Sequence, residues 1–438
     1  IQLRTLYARL PKLYAKLEFL NPTGSFKDRG TATMLSVAAE HGVTELVEDS
    51  SGNAGASVSA YAARAGIKSH IFVPAGAPEA KLRQIEAYGT EAQPIEGPRE
   101  AVTEAAIAYA KQRGLVYASH MLSPYFAEGT KAFAYEVAQQ FSGSMPGQVV
   151  FPVGNGSLLI GAYNGFRELK ASGQIENIPR LHAVQSRNVM PLVAAFNGEE
   201  WEPESATKTV AGGISIAAPS RQWQILDILR STGGSAVAVE ESRILRVQKS
   251  LAEEEGIFAE PTSAVAFAGL EILIDQGVIQ ESDTVLVPVT GFQNPWRSPM
   301  DLPAQGDLKT ILFLSKRGMT RAPVAREVMR SLVEKSEWFG KVDIVSAGVT
   351  KAYDECPIDQ RMKEFCKEFG YRLQTRSSFA NPSILADADI IITLDRASEE
   401  FVGLQKHSIR GGIHSLGVFI APGSEPYVQD PYERDEDI

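Results

Sequence analysis

The 438-residue sequence contains two cysteines, Cys356 and Cys366, and no long apolar run. Two thiols cannot build the disulfide framework typical of secreted domains, so we predict a reducing, cytoplasmic location and a packing role for both. No stretch reaches the roughly 18 apolar residues that a membrane-spanning helix needs. The N-terminus also lacks the basic-then-apolar pattern of a signal peptide. The sequence therefore predicts no membrane partner.

Positive charge is also scarce, because 43 basic residues face 53 acidic ones, for a formal net charge of −10. Such a chain is not expected to bind nucleic acid or anionic membranes. The six histidines show no metal-ligand spacing, so no metal site is predicted. Hydrophobic residues nevertheless make up 44% of the chain. That fraction is typical of soluble globular proteins and allows a sizeable core.

Short β-branched runs alternate with amphipathic helical stretches up to about residue 293, which predicts an α/β fold with a mainly parallel sheet. The expected strands are Glu45–Ser50, His70–Pro74, Gln148–Val153, Arg180–Gln185, Ser235–Glu240 and Thr284–Val289. The expected helices are Asn53–Ala65, Arg99–Gln112, Glu128–Phe141, Gly156–Ala171 and Ser242–Glu254. Glu260-Pro261-Thr262 is expected to begin a further helix.

The composition changes at residues 294–308, a proline-rich segment without periodicity that we predict to be a linker. The α/β pattern then restarts with Thr310–Leu314, Ala322–Lys335, Val342–Ser346 and Asp389–Asp395. We therefore expect a large domain over 1–293 and a small α/β domain over 309–438.

The densest motif is K-L-E-F-L-N-P-T-G-S-F-K-D-R-G at 16–30. Asn21–Gly24 reads as a turn, Ser25 as a helix N-cap, and Lys27 as a residue of the first helical turn. A lysine at the positive end of a helix dipole has a lowered pKa, which Schiff-base chemistry requires. Taken alone, the pattern is far more typical of a solvated lysine at a helix end.

Two glycine-rich turns strengthen the functional interpretation. Ser50–Gly55 and Val153–Leu158 each connect a buried strand to a helix start, where backbone amides can hold a carboxylate or phosphate. A reactive lysine together with two anion-binding turns is far more specific than any one of them.

With these motifs, residues 1–293 resemble the fold-type II pyridoxal-phosphate enzymes, which have two lobes as in the tryptophan synthase β-subunit, and within them threonine synthase. The motifs are N-P-T-G-S-F-K-D-R-G (21–30), S-S-G-N-A-G-A-S (50–57), A-Y-A-A-R-A-G (60–66), P-V-G-N-G-S (152–157), T-V-A-G-G-I (209–214), E-G-I-F-A-E-P-T-S-A (255–264) and V-T-G (289–291).

The resemblance implies pyridoxal 5'-phosphate as cofactor, with Lys27 carrying it and moving the Cα proton. Asn53 is implied to bond the ring hydroxyl and Thr290 to face the pyridine nitrogen. The implied phosphate loop consists of Gly154, Asn155, Gly156, Ser157 and Leu158. The implied carboxylate-binding residues are Ser50, Ser51, Gly52 and Asn53.

The sequence departs from threonine synthase where that family reads N-S-x-N-P-x-R and binds the substrate's own phosphate. Here His120, Met121 and Phe126 stand at the places of Asn, Ser and Arg. A phenyl ring cannot replace a bidentate arginine, so we do not expect O-phosphohomoserine as substrate. His120 is expected at the distal end of the substrate. The family's Thr-Pro-Leu is Thr5-Leu6 here, and we expect N-terminal residues to be absent from this chain.

Residues 309–438 resemble the low-molecular-weight protein tyrosine phosphatases, with a phosphotyrosine-phosphatase-I-like fold and a central parallel sheet. The motifs are S-K-R-G-M-T-R-A-P (315–323), S-A-G (346–348), R-S-S (376–378), D-A-D-I-I-I-T-L-D (387–395) and D-P-Y (430–432). The anion loop comprises Ser315, Lys316, Arg317, Gly318, Met319, Thr320 and Arg321. Asp430 matches the family's proton donor.

The nucleophilic cysteine of that family is Ser315 here, and the hydroxyl after the arginine is lost as Ala322. A thiol ionises readily in an anion nest, whereas an alcohol stays protonated at neutral pH. We therefore predict no phosphatase turnover. The domain is predicted to bind phosphate or a phosphorylated ligand through the amides and Arg321. A purely structural or oligomerisation role is the alternative.

The leading prediction is a pyridoxal-phosphate lyase, similar to threonine synthase, that performs elimination or replacement on a small amino acid. A serine/threonine dehydratase or a cysteine-synthase-like β-replacement enzyme is the rival among enzymes. A ligand-binding regulatory or scaffold protein is the rival of another class. The resemblance also implies a homodimer.

Overall fold

The computed structural model describes residues 1–7, 10–77, 79–97, 99–142, 144–292, 309–334, 336, 338, 341–406, 409–419 and 427–428. The chain divides into two compact units, Ile1–Pro299 and Met300–Ile438. The predicted linker 294–308 lies outside the described residues.

The N-terminal unit alternates strands and helices as the sequence predicts. Its strands are β1 (Leu13–Leu17), β2 (Glu45–Glu48), β3 (Lys68–Pro74), β4 (Ala92–Ile95), β5 (Val116–Tyr117), β6 (Gln148–Pro152), β7 (Arg180–Ser186), β8 (Ala236–Val239) and β9 (Val285–Val289). Its helices are α1 (Lys27–Glu40), α2 (Asn53–Ala65), α3 (Glu79–Ala87), α4 (Arg99–Arg113), α5 (Pro124–Thr130), α6 (Ala132–Phe141), α7 (Ser157–Ala171), α8 (Pro191–Phe196), α9 (Gln222–Ser231), α10 (Glu241–Glu255) and α11 (Pro261–Asp275).

Two parallel sheets organise this unit. The larger sheet has the order β1-β9-β6-β7-β8, and the smaller has the order β4-β3-β2-β5. Every described strand pair in both sheets is parallel. Ligands of parallel sheets bind at the carboxyl ends of the strands. The turns after β2, β6 and β9 are the segments in which the sequence placed its candidate residues.

Helix α11 lies in the core of the larger sheet and is buried along most of its length. Its residues Ala264–Ala268 pack with the strand residues Val285, Val287 and Val289 in one hydrophobic cluster. A helix that is apolar on all faces has no amphipathic period, which is why its extent is not visible in the sequence pattern.

Helices α1 and α5 approach each other closely through glycine. A Cβ on Gly30 would meet the ring of Phe126 at 2.6 Å, and a Cβ on Gly129 would meet the Arg29 carbonyl oxygen at 2.2 Å. Any larger side chain at these positions would separate the two helices.

The predicted helix Glu128–Phe141 is interrupted in the structure, because α5 ends at Thr130 and α6 begins at Ala132.

The C-terminal unit has one four-stranded parallel sheet of order β11-β10-β12-β13. Its elements are β10 (Lys309–Ser315), α12 (Arg321–Glu334), β11 (Val342–Gly348), α13 (Gln360–Glu368), α14 (Pro382–Asp387), β12 (Ile390–Thr393), α15 (Arg396–Leu404) and β13 (Gly412–Ser415). Two clusters of buried side chains, around Leu312 and around Phe313, form its core. Alternate residues of β10 therefore belong to different clusters, as expected for a central strand.

Within the described part of the chain, no helix is both long and apolar enough to cross a membrane.

Candidate active site

Lys27 is the first residue of α1, and the segment before it is bound to the end of β9. The amide of Phe26 donates to the carbonyl of Thr290 at 3.0 Å, and Ser25 forms an antiparallel bridge with Gly291. The cap position is Phe26, one residue later than the predicted N-cap Ser25. The Ser25 hydroxyl nevertheless accepts from the amide of Lys27, the first helical residue, at 3.4 Å.

The Lys27 side chain is enclosed by aromatic rings and acidic residues. Its Nζ lies 4.7 Å from the ring centre of Phe26 and 5.8 Å from that of Phe126. Burial lowers the pKa of Lys27 to about 8, although the carboxyl groups of Glu48 and Glu260 oppose this effect when they are ionised. Removal from water thus outweighs two nearby carboxylates, and a substantial fraction of the amine is neutral near physiological pH.

Asn53, the first residue of α2, is held by a carboxylate that is distant in sequence. Its Nδ2 donates to the two oxygens of Glu260 at 3.3 and 3.2 Å. Glu260 is the N-cap residue of α11, and a Cβ on Gly291 would come within 2.3 Å of its Oε1. The ends of β2 and β9 therefore meet at this carboxylate beside Lys27. The sequence indicated Glu260 only as part of a helix start.

Thr290 follows β9 and is almost fully buried, at 3% exposure. Its hydroxyl shares a hydrogen bond with the hydroxyl of Ser263 at 3.0 Å. The same Ser263 oxygen accepts from the amide of Gly291 at 3.0 Å. Two hydroxyls from α11 and the β9 end thus form one polar cluster, with no charged group at position 290.

The second glycine turn leads from β6 into α7. Gly156 is the N-cap residue with φ of +74°, and no side chain caps the helix. Gly154 lies against the T-V-A-G-G-I segment, where a Cβ would meet Ile214 Cα at 3.0 Å. Ser157 and Leu158 open the helix, so their amides belong to the set that a helix leaves without backbone partners. Asn155 Nδ2 contacts Met121 Sδ, which joins this turn to the segment that contains His120.

The turn 50–53 and His120 adjoin the smaller sheet, where β2 and β5 lie side by side. The amide of Gly52 donates to the Ser50 hydroxyl at 3.2 Å, and Gly52 caps α2 without a side-chain hydrogen bond. His120 Nδ1 lies 2.8 Å from Glu48 Oε1. Glu48, the last residue of β2, was missed in the sequence, although an acidic residue at the end of a buried strand was the available signal.

Phe126, which stands where the resemblance to threonine synthase leads us to expect an arginine, is completely buried. Another arginine lies nearby: Arg99, the first residue of α4, pairs with Asp49 at 2.9 Å. Asp49 also accepts from the Thr103 hydroxyl at 2.5 Å. This cation is therefore already engaged by a carboxylate of the chain. No cluster of three metal-ligating side chains occurs among the residues described.

The anion loop of the C-terminal unit connects β10 to α12 and is partly engaged by internal groups. Asp395 Oδ2 accepts from the amide of Lys316 at 2.7 Å and pairs with Arg321 Nη2 at 2.8 Å. The Ser315 hydroxyl accepts from the amide of Gly318 at 3.2 Å. Asp395 thus takes two of the donors that the sequence assigned to an external anion.

The remaining loop residues take positions consistent with a tight turn. Gly318 has φ of +70° and lies against Gly348, where a Cβ would come within 2.4 Å of the Gly348 nitrogen. Arg317 lies over the ring of Tyr353 at 5.5 Å, and the carbonyl of Met319 accepts from the amide of Asp359 at 3.3 Å. Thr320 precedes α12, which begins at Arg321. The predicted proton donor Asp430 lies outside the described residues.

Comparison with known proteins identifies both units. Residues 1–291 match the sequence model of the family described as pyridoxal-phosphate dependent enzyme. Residues 310–438 match that of low molecular weight phosphotyrosine protein phosphatase.

Curated relatives of the N-terminal unit include threonine synthases. That of Methanocaldococcus jannaschii is 35% identical over 285 residues, which cover 64% of this chain and 70% of the relative. That of Bacillus sp. strain ULM1 is 34% identical over 281 residues, which cover 64% of this chain and 77% of the relative.

Solved structures with the same fold include a threonine deaminase from T.th. and maize serine racemase. The first has a TM-score of 0.59 and 24% identity, and covers 68% of this chain and 93% of its own. The second has a TM-score of 0.59 and 21% identity, and covers 68% of this chain and 88% of its own. At these identities the likeness concerns the fold.

The residues of the site fit this cofactor. The amine of Lys27 has the lowered pKa that bond formation with an aldehyde requires. The uncapped start of α7 offers amides for a phosphate. Asn53 carries two N–H groups, so it can hold Glu260 and still donate to a second acceptor. The fold, cofactor and enzyme class predicted from the sequence are confirmed. This chain belongs to the pyridoxal-phosphate dependent enzymes, as a threonine-synthase-like lyase with an appended low-molecular-weight phosphatase family domain.

Proposed function

We propose that the N-terminal unit catalyses elimination or replacement on a small amino acid, in the manner of its threonine synthase relatives, with Lys27 as the catalytic residue. The observation that carries the proposal is the buried Lys27 amine, whose pKa of about 8 suits proton exchange near neutral pH. A scaffold protein would have no need for a buried lysine with a lowered pKa.

In this proposal Lys27 holds the cofactor and moves the proton at the substrate Cα. The pyridine ring of the cofactor supplies an electron sink for the charge that develops there. Asn53 orients the ring, and the amides of Gly154–Leu158 hold the phosphate at the start of α7.

Two further groups complete the proposed arrangement. The turn formed by Ser50, Ser51 and Gly52 binds the substrate carboxylate at the start of α2. Thr290 presents a neutral hydroxyl to the ring nitrogen, which favours elimination and replacement over transamination because it does not stabilise a protonated ring.

The first test is the visible absorbance of the purified holoenzyme. We expect an absorbance band that is lost in Lys27→Ala together with all turnover, because the cofactor aldehyde then has no amine to bond at that position. Lys249→Ala, at an exposed position of α10, is the matched control and should retain both. A wild-type protein that takes up no cofactor would refute the proposal.

A second candidate is a serine/threonine dehydratase or a β-replacement enzyme, and it is favoured by Phe126. A buried phenyl ring offers a substrate phosphate nothing in place of an arginine. A panel of O-phosphohomoserine, L-serine, L-threonine and O-acetyl-L-serine separates the candidates, when it is scored for ketoacid, released phosphate and new amino acid.

We further propose that the C-terminal domain binds phosphate or a phosphorylated ligand and does not hydrolyse it. Ser315 is 2% exposed, and its hydroxyl would remain protonated where the family uses a thiolate. The retained Arg321 and the amides of the loop support anion binding. A homodimer and a cytoplasmic location belong to the same proposal. The former rests on the resemblance to threonine synthase, and the latter on the free thiols Cys356 and Cys366.

A further inference from the structure

A buried histidine–glutamate pair lies beside Lys27 at the adjoining ends of β2 and β5. Glu48 is fully buried and lies 2.8 Å from His120 Nδ1 through its Oε1. The imidazole packs edge-on against Phe126, with ring centres 5.8 Å apart, and Lys27 Nζ lies 5.8 Å from the centre of that same ring. Histidine and lysine therefore flank one phenyl ring.

The geometry leaves one ring nitrogen of His120 available. Its hydrogen bond within the described residues uses Nδ1, and the side chain keeps 12% exposure. The other oxygen of Glu48, Oε2, is buried and has no hydrogen-bond partner in the described part of the chain. A buried carboxylate with one unbonded oxygen is costly when ionised, so the arrangement favours a carboxyl group that shares a proton with Nδ1.

We propose that His120, oriented by Glu48, is a second catalytic residue that protonates the leaving oxygen of a hydroxy amino acid at the distal end of the site. This inference rests on the proposed function and adds the class of leaving group. His120 acts through Nε2, and Glu48 is a positioning residue that acts through Nδ1.

The charges around the pair support this role. Burial raises the pKa of Glu48, with the charge of Asp49 as a further cause. Burial lowers the pKa of His120, and the positive charges of Lys27 and Arg99 add to the effect. Both shifts favour the uncharged pair, in which Glu48 donates to Nδ1 and the ring hydrogen is on Nε2. Such a group can donate one proton without leaving a buried cation behind.

In the reaction step, Lys27 removes the proton from Cα, and the bond between carbon and the leaving oxygen breaks with its electron pair on oxygen. As that oxygen takes the proton from Nε2 and leaves as water, the proton of Glu48 passes to Nδ1, so that the imidazole stays neutral and Glu48 is left as a carboxylate. A proton from solvent then restores the pair. The net loss from the substrate is one proton from Cα and one hydroxide.

A hydroxyl group needs such a donor, whereas phosphate and chloride do not. Hydroxide is a poor leaving group, and positioned proton donation typically contributes about 10²–10⁴-fold in rate. The described residues also offer a substrate phosphate little at the distal end, because Phe126 is a buried phenyl ring and Arg99 is already paired with Asp49. The proton donor and the missing phosphate contact thus favour the same class of substrate.

The experiment compares two leaving groups in one active site. Holoenzyme and His120→Gln are assayed for ketoacid formation from L-serine or L-threonine and from β-chloro-L-alanine. We expect kcat on the hydroxy substrate to fall about 10²-fold or more, and kcat on β-chloro-L-alanine to change less than about threefold. Glu48→Gln should lower the hydroxy rate by an intermediate factor, because an amide still orients the ring but cannot supply the proton.

The chain offers a matched control in a second histidine–glutamate pair. His70 Nε2 lies 2.9 Å from Glu45 Oε2, at the opposite end of the same strand β2. His70→Gln should leave the ratio of the two rates unchanged. Equal loss on both substrates in His120→Gln would overturn the catalytic role and indicate a structural one. If the wild type acts on O-phosphohomoserine but on no hydroxy amino acid, this inference fails while the proposed function stands.

Discussion

Lys27 is the residue at which competing electrostatic effects decide the chemistry. The carboxyl groups of Glu48 and Glu260 stabilise its ammonium form when they are ionised, yet burial prevails and the pKa falls to about 8. Compared with a lysine in water, whose pKa is 10.5, the site destabilises the ammonium form relative to the neutral amine by about 3 kcal/mol. The ammonium form is destabilised because the side chain lies near the rings of Phe26 and Phe126, where water cannot solvate its charge.

Competitive labelling of the apoenzyme with acetic anhydride measures this pKa directly. The neutral amine is the reactive form, so labelling of Lys27 should rise about tenfold for each pH unit up to about 8 and then level off. Mass spectrometry gives the extent at each lysine, with the half-exposed Lys249 as internal reference. A midpoint for Lys27 near 10 would contradict the electrostatic argument.

The residues with chemical roles differ in how far the sequence could predict them. Lys27, Asn53 and Thr290 stand in motifs with a recognisable local pattern, and the sequence identified them as candidates. Glu260 joins the site through a side-chain contact with Asn53 across 207 positions, and no local pattern encodes that distance. Glu48 could not be predicted from a local pattern either, because its partner His120 follows a different strand.

At the level of elements, the turn from β6 into α7 depends on glycine for two separate reasons. Gly156 adopts φ of +74°, which a side chain disfavours, and a Cβ there would also lie 2.5 Å from Ile225. Gly42 meets the first constraint alone: its φ is +73°, but a Cβ there would have no other described residue within 4 Å apart from its chain neighbours. The pair allows the conformational cost to be separated from the steric one.

Gly42→Ala should lower the free energy of unfolding by about 1–2 kcal/mol, the cost of a left-handed alanine. Gly156→Ala should cost about 1–3 kcal/mol more because Ile225 must move, and it should also weaken cofactor binding. Urea unfolding of both apoenzymes and cofactor titration by absorbance provide the measurements. If the two variants behave alike, the contact with Ile225 does not constrain the turn.

Elements were predictable where the local sequence marks their ends. The helix Asn53–Ala65 has the predicted bounds, because Gly52 precedes it and Gly66 follows it. The break at Lys131 between α5 and α6 was not predictable, since the periodicity continues through it. The break brings Gly129 against α1, a tertiary contact that leaves no mark in local composition.

For the whole molecule, the change of composition near residue 294 indicated two units. The structure has two units, and each has hydrophobic clusters of its own. Strand order was beyond the sequence, because β1 pairs with β9 although about 270 residues lie between them. For the same reason, the contact between Asp395 and the anion loop was not predictable. Asp395 was recognised as part of a motif, but it reaches the loop only because β10 and β12 are neighbours in the sheet.

In the anion loop, the Asp395 carboxylate therefore competes with an external anion for the same hydrogen-bond donors. An incoming anion that uses Arg321 Nη2 or the amide of Lys316 has to displace the Asp395 carboxylate from that donor. Asp395 also caps α15 by accepting from the amide of Ser398 at 2.8 Å, and asparagine would preserve that cap. Asp395→Asn should therefore bind anions more tightly, even though the unliganded domain loses a buried ion pair and is less stable.

Calorimetry of the full chain tests both ligand assignments together. Pyridoxal phosphate should raise the melting temperature of the transition that belongs to the N-terminal unit. Inorganic phosphate or vanadate at about 100 times its Kd should stabilise the C-terminal unit by about 2.7 kcal/mol, a shift of about 5–10 °C. Arg321→Ala should abolish the second shift and Asp395→Asn should enlarge it. Arg396→Ala, at an exposed position of the same unit, should leave it intact. Phosphate protection that survives in Arg321→Ala would place the anion elsewhere, and the absence of protection in the wild type and in Asp395→Asn would leave the domain a structural role.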